Sequence, residues 1–469
     1  MLVAGKAWLV LSSLFFYGYW VSDYLLLIIG SILVNYSLGT AINNHSATKN
    51  GNFISKKILL VIGILFNLSL LGYFKYIDFM IDNINFLLNA ELSNLNILLP
   101  LAISFFTFQQ IAYLVDSYQT STKEYNFLNY CLFVTFFPQL IAGPIVHHGD
   151  MMPQFARKEN QFLKWKHILV GCTIFSIGLF KKVVIADTFA GWANEGYAIQ
   201  TDLTFLQAWS ASLSYTFQLY YDFSGYTDMA IGAALLFNIH LPINFNSPYK
   251  SQDIQDFWRR WHITLSSWLR DYIYIPLGGN RKGSLSTYLN LLATFIIGGL
   301  WHGAAWTFII WGCLHGGALV INKMWQRTGY RLHSIVAWLV TFLFVHIAWI
   351  FFRSETLDEA FRVIKGLLDF DSIALSQGFA DQISAASDWH GLQNLSLTTS
   401  STTPEWPVLA CLLILAATLY CRNSIELLRT LLSMDTIKQS TILKYSLTMA
   451  IGSVFLFTSS AEVFLYFNF

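Results

Sequence analysis

The chain has 469 residues, 55% of them hydrophobic and 12% charged, with a mean hydropathy of +0.49. Soluble domains carry roughly 25% charge, so this composition excludes an ordinary soluble enzyme or binding module and puts the chain in a lipid bilayer. A formal net charge of +1 points to no nucleic-acid partner; the distribution of charge along the chain carries the information.

The first apolar run has no small-residue cleavage site after it and leads straight into another, so it reads as a span and not as a cleaved signal. A spanning helix needs about 20 mainly apolar residues, fewer where protein buries a half-length one. On that measure, spans or half-spans are expected near 7–20, 24–40, 57–75, 95–117, 127–143, 167–185, 205–221, 228–241, 286–300, 304–322, 333–352, 407–421 and 445–463. Several are short or broken by glycine and proline. Irregular backbone survives at membrane depth only inside protein or beside a cavity. The expected fold is therefore all-α and polytopic, with short tilted and re-entrant segments. Aromatic residues at 17% suit interfacial belts and an aromatic-lined cavity. No internal repeat supports a repeat-built transporter, and no boundary divides residues 1–469. Cys131, Cys172, Cys313, Cys411 and Cys421 lie in or beside apolar runs without paired spacing and read as buried free thiols, with no disulfide frame and no metal site.

Positive charge sets orientation. Lys49, Lys56 and Lys57, then Arg157, Lys158, Lys164 and Lys166, then the 250–282 stretch, then Lys323, Arg327 and Arg331, and finally Arg422, Arg429, Lys438 and Lys444 mark basic loops. Segments 187–202 and 366–406 are acidic, the latter with no Lys or Arg. The basic loops are expected in the cytoplasm and the acidic ones outside, with Lys6 inside and the closing FLYFNF emerging outside. Leu357 to Phe370 alternates charge with apolar residues at helical spacing and reads as a surface helix. The Ser-, Thr- and Gln-rich 370–406 reads as an exposed loop, so that 354–406 as a whole lies outside the membrane.

Charge is concentrated among apolar and aromatic residues in 250–317. Charged groups near a bilayer core are costly and mark a site. His302 sits in Gly298-Gly299-Leu300-Trp301-His302-Gly303, where glycines allow a helix break and close backbone approach. A neutral imidazole in a dry site suits removal of a proton from an attacking hydroxyl; the alternative is a histidine satisfied by a neighbouring helix. In Trp258-Arg259-Arg260-Trp261-His262, helical spacing places both tryptophans and His262 near one face and aims Arg259 away. His262 is either a site residue or a Trp-packed structural one. His315, in Cys313-Leu314-His315-Gly316-Gly317, reads as helix packing ahead of catalysis. Tyr221-Asp222-Phe223-Ser224-Gly225-Tyr226-Thr227-Asp228 places two carboxylates and several hydroxyls between apolar runs, either as an interior network orienting the histidines or with Asp222 or Ser224 capping a helix. The prolines and glycine of Phe137-Pro138-Gln139-Leu140-Ile141-Ala142-Gly143-Pro144-Ile145 predict a re-entrant scaffold turn. His346 lies within a span and reads as a satisfied core histidine. Lys250, Arg259, Arg260, Arg270, Arg281 and Lys282 form a basic face suited to a phosphate-bearing donor, although cytoplasmic bias alone would place such residues there. Gly278-Gly279-Asn280 reads as a turn. No HExxH, CxxC pair, Walker loop or Gly-x-Ser-x-Gly elbow is present.

The motifs FWRRWHITLSSWLRDYIYIPLGGNRKG, GGLWHGAAWTFIIWG, YDFSGYTDMA and FPQLIAGPI resemble those of the membrane-bound O-acyltransferases, in particular the bacterial branch of the alginate O-acetyltransferase membrane subunit and its polysaccharide-acetylating relatives. The likeness runs from SLFFYGYW and SILVNYSLG to FLYFNF, with its strongest motifs in 138–316. It implies a fold of tilted helices around a central funnel in a bacterial inner membrane. It also implies His302 as the catalytic histidine and His262 as the second one, with His315, Asp222, Ser224, Tyr226, Asp228, Trp301 and Gln139 around them. The implied donor is cytoplasmic acetyl-CoA, with no bound cofactor and no metal. The implied route carries the acetyl group outward to a polysaccharide hydroxyl, directly or through an extracytoplasmic esterase-like partner. Members usually carry one more hydrophobic helix before SLFFYGYW, so a topology copied from them is expected to shift by one crossing. Two alternatives stand. A teichoic-acid D-alanyl transfer protein would draw on an acyl carrier protein, a reading that GGNRKG and FLYFNF speak against. A glycan or lipid transporter would catalyse nothing.

Overall fold

The computed structural model describes residues 3–20, 22–45, 55–119, 124, 126–387, 397–398, 403–458 and 464–465; the side chains of 20, 45, 383–387 and 397–398 are outside this description. Lys49, Asp388 and His390, the side chain of His45, and all of FLYFNF but Phe464 and Leu465 therefore lie outside the described residues. The described chain is helical, apart from a two-residue pairing of Leu375–Ser376 with Leu397–Thr398. Among the described residues, seven helical segments are long and apolar enough to cross a membrane: Ser22–Asn44, Lys56–Leu88, Trp165–Ala198, Gly283–His302, Ser334–Arg353, Glu405–Ser433 and Gln439–Thr458. Shorter or more polar helices, such as Val3–Trp20, Ile103–Tyr118, Phe205–Leu236 and Trp306–Thr328, fill the space between them.

Several boundaries differ from expectation. Segments 205–221 and 228–241 are one helix, Phe205–Leu236, started by a capping box in which Thr204 and Gln207 exchange hydrogen bonds. Asp222 and Ser224 thus sit mid-helix and cap nothing. Asp222 is tolerated in this buried helix because Lys182 pairs with it (3.0 Å) and the Leu465 N–H donates to it (2.9 Å). The span near 95–117 is helical only from Ile103, after a non-helical 90–102, and 127–143 breaks into Phe127–Thr135, Phe137–Leu140 and a turn. The span begun at Lys56 does not stop at residue 75; it runs through a π-turn, Gly72–Tyr76, to Leu88. Segment 370–406 is not a bare loop, because it contains helix Gln377–Ser387, and the Glu405 carboxylate accepts bonds from Ser376 N (2.6 Å) and Oγ (2.9 Å). Cys131 and Cys411 are buried, but Cys172, Cys313 and Cys421 are exposed on outer faces.

Contacts tie the acidic segments to one another and the basic loops to their neighbours. On the acidic side, Lys365 pairs with Asp202 (2.6 Å) and Arg362 donates to the Tyr197 carbonyl (3.2 Å), tying surface helix Leu357–Leu367 to the 187–202 segment. That helix turns Ala360, Val363 and Leu367 inward, as its alternating pattern requires. On the basic side, Arg327 donates to Ser284 (2.9 Å), Lys250 to the Cys421 carbonyl (3.1 Å) and Lys166 to the Leu432 carbonyl (2.7 Å). Phe464 and Leu465 fold back: the Leu465 N–H donates to Asp222 (2.9 Å) and Phe464 stacks on Tyr226 at 4.6 Å.

Two glycine-mediated contacts set the core. Trp165–Phe180 meets Phe205–Leu236 through Gly171 against Gly232 and Gly178 against Gly225, where a Cβ on any of the four would strike the opposite carbonyl. Small residues let membrane helices approach this closely. Gly299 and Gly312 do the same for Gly283–His302 and Trp306–Thr328: a Cβ on Gly299 would hit the Phe308 carbonyl. The second contact fixes the hairpin that carries His302 and His315.

Candidate active site

Three π-helical turns interrupt the described helices, at Gly72–Tyr76, Lys181–Ala186 and Arg270–Tyr274, and each carries basic residues. Such turns concentrate at functional sites because the extra residue re-aims the side chains that follow. The Lys181–Ala186 turn meets the 221–228 motif. Lys181 pairs with Asp228 (2.7 Å), which also accepts from Ser424 (2.8 Å). Lys182 bridges Asp187 (2.5 Å) and Asp222 (3.0 Å). These carboxylates are engaged by lysines of the neighbouring helix, and the motif reaches the histidines through Phe223, whose ring lies 4.8 Å from His262. Removing one partner would strand a buried charge at a cost of about 3–5 kcal/mol. Ser224 is buried beside them, and the Tyr226 hydroxyl bonds the Ala142 backbone.

His262 does not continue a helix. Ile254–Arg260 ends before it, Trp261 is extended, and His262 takes a left-handed conformation (φ 41°, ψ 55°) ahead of Ile263–Leu269. Left-handed backbone is uncommon for a non-glycine residue and persists where surroundings impose it. Here segment 244–246 brackets the break: Asn246 N donates to the Arg260 carbonyl and Ile263 N to the Asn244 carbonyl, both at 2.9 Å. The Asn244 side-chain oxygen accepts from Thr264 N (3.2 Å) and Oγ1 (2.9 Å), and lies 3.1 Å from His262 Nδ1. An oxygen that only accepts requires Nδ1 to carry the proton, which places the imidazole lone pair on Nε2. Thr264 in turn accepts from Ile145 N (3.1 Å), so the re-entrant 137–145 element anchors this bracket. Gln139 supports that element by donating to the Phe133 carbonyl (2.9 Å).

His302 is the last residue of its helix and is buried, with ring centroids of Trp301, Trp311 and Phe352 at 4.9, 5.1 and 5.1 Å. Trp301 also lies 6.4 Å from His262, so both imidazoles neighbour one indole. An aromatic column leads to that indole from the Arg270–Tyr274 turn: Tyr272 to Trp268 at 5.2 Å, Trp268 to Phe108 at 3.6 Å, Phe108 to Trp301 at 4.9 Å. At its outer end Tyr272 donates to Asp116 (2.8 Å), whose carboxylate holds the adjacent His147 imidazole above its ordinary range. His315 accepts from the Trp258 indole N–H (3.2 Å) and packs on Trp311 at 4.8 Å, one ring away from His302. His346 lies between the hydroxyls of Ser212 (3.3 Å) and Thr216 (2.9 Å).

Of the basic candidates, Arg259 and Arg270 meet on one cleft of about 450 Å³, whose inner wall includes Trp258, Ile263 and Phe295. Arg260 is engaged by Asp256 (2.9 Å), and Arg281 and Lys282 sit on the exposed turn containing left-handed Gly278 and Gly279. Sequence reasoning missed Lys75, Lys181 and Lys182; a lysine inside an apolar span was the available signal. Among the described residues, no cluster of His, Cys, Asp or Glu has metal-binding geometry.

Residues 98–356 match the family model described as MBOAT, membrane-bound O-acyltransferase family. A peptidoglycan O-acetyltransferase of Helicobacter pylori is 47% identical over 496 residues, 99% of this chain and 91% of the relative. A probable alginate O-acetylase AlgI of Pseudomonas aeruginosa is 42% identical over 375 residues, 79% of this chain and 71% of the relative. A teichoic acid D-alanyltransferase of Bacillus subtilis is more distant, 29% identical over 287 residues, 55% of this chain and 70% of the relative. With its matched domain, its membrane-crossing helices and its paired interior histidines, the chain belongs to the membrane-bound O-acyltransferase family and is an O-acyltransferase.

Proposed function

We propose that this enzyme takes an acetyl group from acetyl-CoA on the cytoplasmic side of a bacterial inner membrane and delivers it outward for O-acetylation of a cell-surface polysaccharide. The observation that carries this reading is the pair His262 and His302, both buried and both neighbouring Trp301, with Ile263, the residue after His262, lining the Arg259–Arg270 cleft. Guanidinium groups at the mouth suit the phosphates of the donor. In the dry aromatic box, neutral His302 takes the proton of the attacking hydroxyl as its oxygen bonds the acyl carbon. The C–S bond of the thioester then breaks, and the imidazolium returns the proton to the leaving thiolate. His262 assists His302 or orients the donor. The attacking hydroxyl belongs to the polymer itself or to an esterase-like extracytoplasmic partner that relays the acetyl group. The acceptors named for the two most similar relatives reported above, peptidoglycan and alginate, support an envelope polysaccharide as the acceptor.

The test is transfer of label from radioactive acetyl-CoA to isolated peptidoglycan, or to alginate, by the purified protein in vesicles with and without extracts of the outer compartment. Labelled polymer is the expected result. Label moved only from a D-alanyl carrier protein would transfer the reading to the D-alanylating branch, and no transfer from either donor would leave a transporter.

Orientation has its own check. A cysteine replacing exposed Asp381 is expected to react with an impermeant maleimide from outside intact cells, and one replacing exposed Ser284 is expected to react only after permeabilisation. The opposite labelling would put the donor cleft on the wrong side of the membrane.

A further inference from the structure

A helix that ends inside a membrane protein must satisfy its last four carbonyls without bulk water. Helix Gly283–His302 ends this way, and each of its four terminal carbonyls has an identified partner. Gly303 N donates to Gly299 (3.3 Å) and the Tyr76 hydroxyl to Leu300 (2.5 Å). The Lys75 ammonium donates to Trp301 (2.5 Å) and to His302 (2.9 Å). Three of the four are thus held by two consecutive side chains from the π-turn Gly72–Tyr76 of another helix. The third N–H of Lys75 goes to Ser104 (3.3 Å), and the ammonium also lies 5.9 Å over the Trp301 ring.

Depth agrees on both sides of the contact. Lys75 stands nineteen residues (75 − 56) beyond the basic start of its helix at Lys56, and His302 nineteen residues (302 − 283) beyond the start of its own at Gly283. At 1.5 Å per residue each lies about 28 Å along its helix from the basic side. A lysine so far along its helix cannot reach the basic side by snorkelling; it is held instead by partners on two other helices. Its three N–H groups are committed to two carbonyls and a hydroxyl, so it does not hold a donor phosphate. Its charge complements the negative end of the helix dipole, at the residue whose side chain does the chemistry.

We propose that Lys75 is a positioning residue for acyl transfer: by fixing the Trp301 and His302 carbonyls it locks the end of the Gly283–His302 helix and with it the His302 imidazole and the Trp301 indole. The proposal rests on His302 as the base. The π-turn is the device that makes it possible, because it brings Lys75 and Tyr76 together onto the end of one helix.

The experiment compares Lys75→Met, Lys75→Arg, Tyr76→Phe and Lys57→Met in full-length protein, with His302→Ala alongside. Each is assayed in vesicles for kcat and donor KM per folded molecule, the folded amount being read from the monodisperse peak in detergent. Misplacement of a reacting group by 1 Å costs up to about 100-fold. Lys75→Met is therefore expected to lose about 10- to 100-fold in kcat with donor KM unchanged. Lys75→Arg should recover part of this, since a guanidinium can still donate to the two carbonyls. Exposed Lys57→Met, which removes a charge from the same helix, should match wild type. If Lys75→Met yields no folded protein, Tyr76→Phe carries the test, with a several-fold loss in kcat expected.

Wild-type kcat per folded molecule in Lys75→Met, or in Tyr76→Phe where only that variant folds, would overturn the positioning role even if His302→Ala is inactive. Wild-type transfer by His302→Ala would overturn the base assignment and this proposal with it.

Discussion

Replacement of His302 with alanine is expected to reduce acetyl transfer per folded molecule by about 10²–10⁴-fold, the usual contribution of one general acid–base group, while membrane insertion is retained. The backbone carbonyl that Lys75 holds is untouched by this change, and Trp301, Trp311 and Phe352 still pack around the vacated space. Truncation of a buried ring costs stability, so the rate must be taken per folded molecule and not per cell. His315→Ala is the informative comparator. It removes a similar volume from the same aromatic cluster and also deprives the Trp258 indole of its acceptor, so a packing effect should be at least as large there. A deep fall in kcat for His302→Ala with a modest one for His315→Ala separates chemistry from packing. Wild-type kcat in His302→Ala would remove this histidine from the mechanism.

What could be read in the chain was what depends on neighbours in sequence. The glycines around His302 announced a helix end, and the structure ends the helix at that residue. The alternating 357–370 pattern announced a surface helix, and Leu357–Leu367 buries the predicted side. Where a distant segment decides the conformation, the sequence was silent. Helical spacing placed Trp258, Trp261 and His262 on one face, yet the 244–246 bracket breaks the helix before His262, because backbone bonds from fourteen (260 − 246) and nineteen (263 − 244) residues away replace the helical ones. Hydroxyls and carboxylates at 221–228 looked like an interruption between two spans. Lys181 and Lys182 from the adjacent helix neutralise the acidic groups and let one helix run through. Lys75 was hidden for a related reason: it looked like the last residue of a span, whereas the helix continues for thirteen more residues (88 − 75) and the lysine belongs to its interior.

A double-mutant cycle between His262 and His302 is expected to be far from additive. Both imidazoles neighbour the Trp301 ring, at 6.4 and 4.9 Å, and both are buried. His262 is held by a strained backbone and by Asn244, whose bond puts the proton on Nδ1 and turns Nε2 into the acceptor. A histidine fixed in one tautomer, beside the cleft-lining Ile263, is suited to receive a hydrogen bond from the proposed donor or to take up a proton during the same step. If it serves the step that His302 serves, removing it after His302 is already gone costs little, as for residues that act as a unit. His262→Ala alone should then lower transfer by about 10²-fold or more, chiefly through weaker use of donor. The double variant should be little worse than His302→Ala, with a coupling at or above the 0.5–3 kcal/mol typical of residues in contact. Asn244→Ala should follow His262→Ala in direction with a smaller loss, because it frees the tautomer without removing the ring. Strictly additive losses, with donor dependence unchanged in His262→Ala, would make His262 a structural residue that only closes the wall against Phe223 and Phe245.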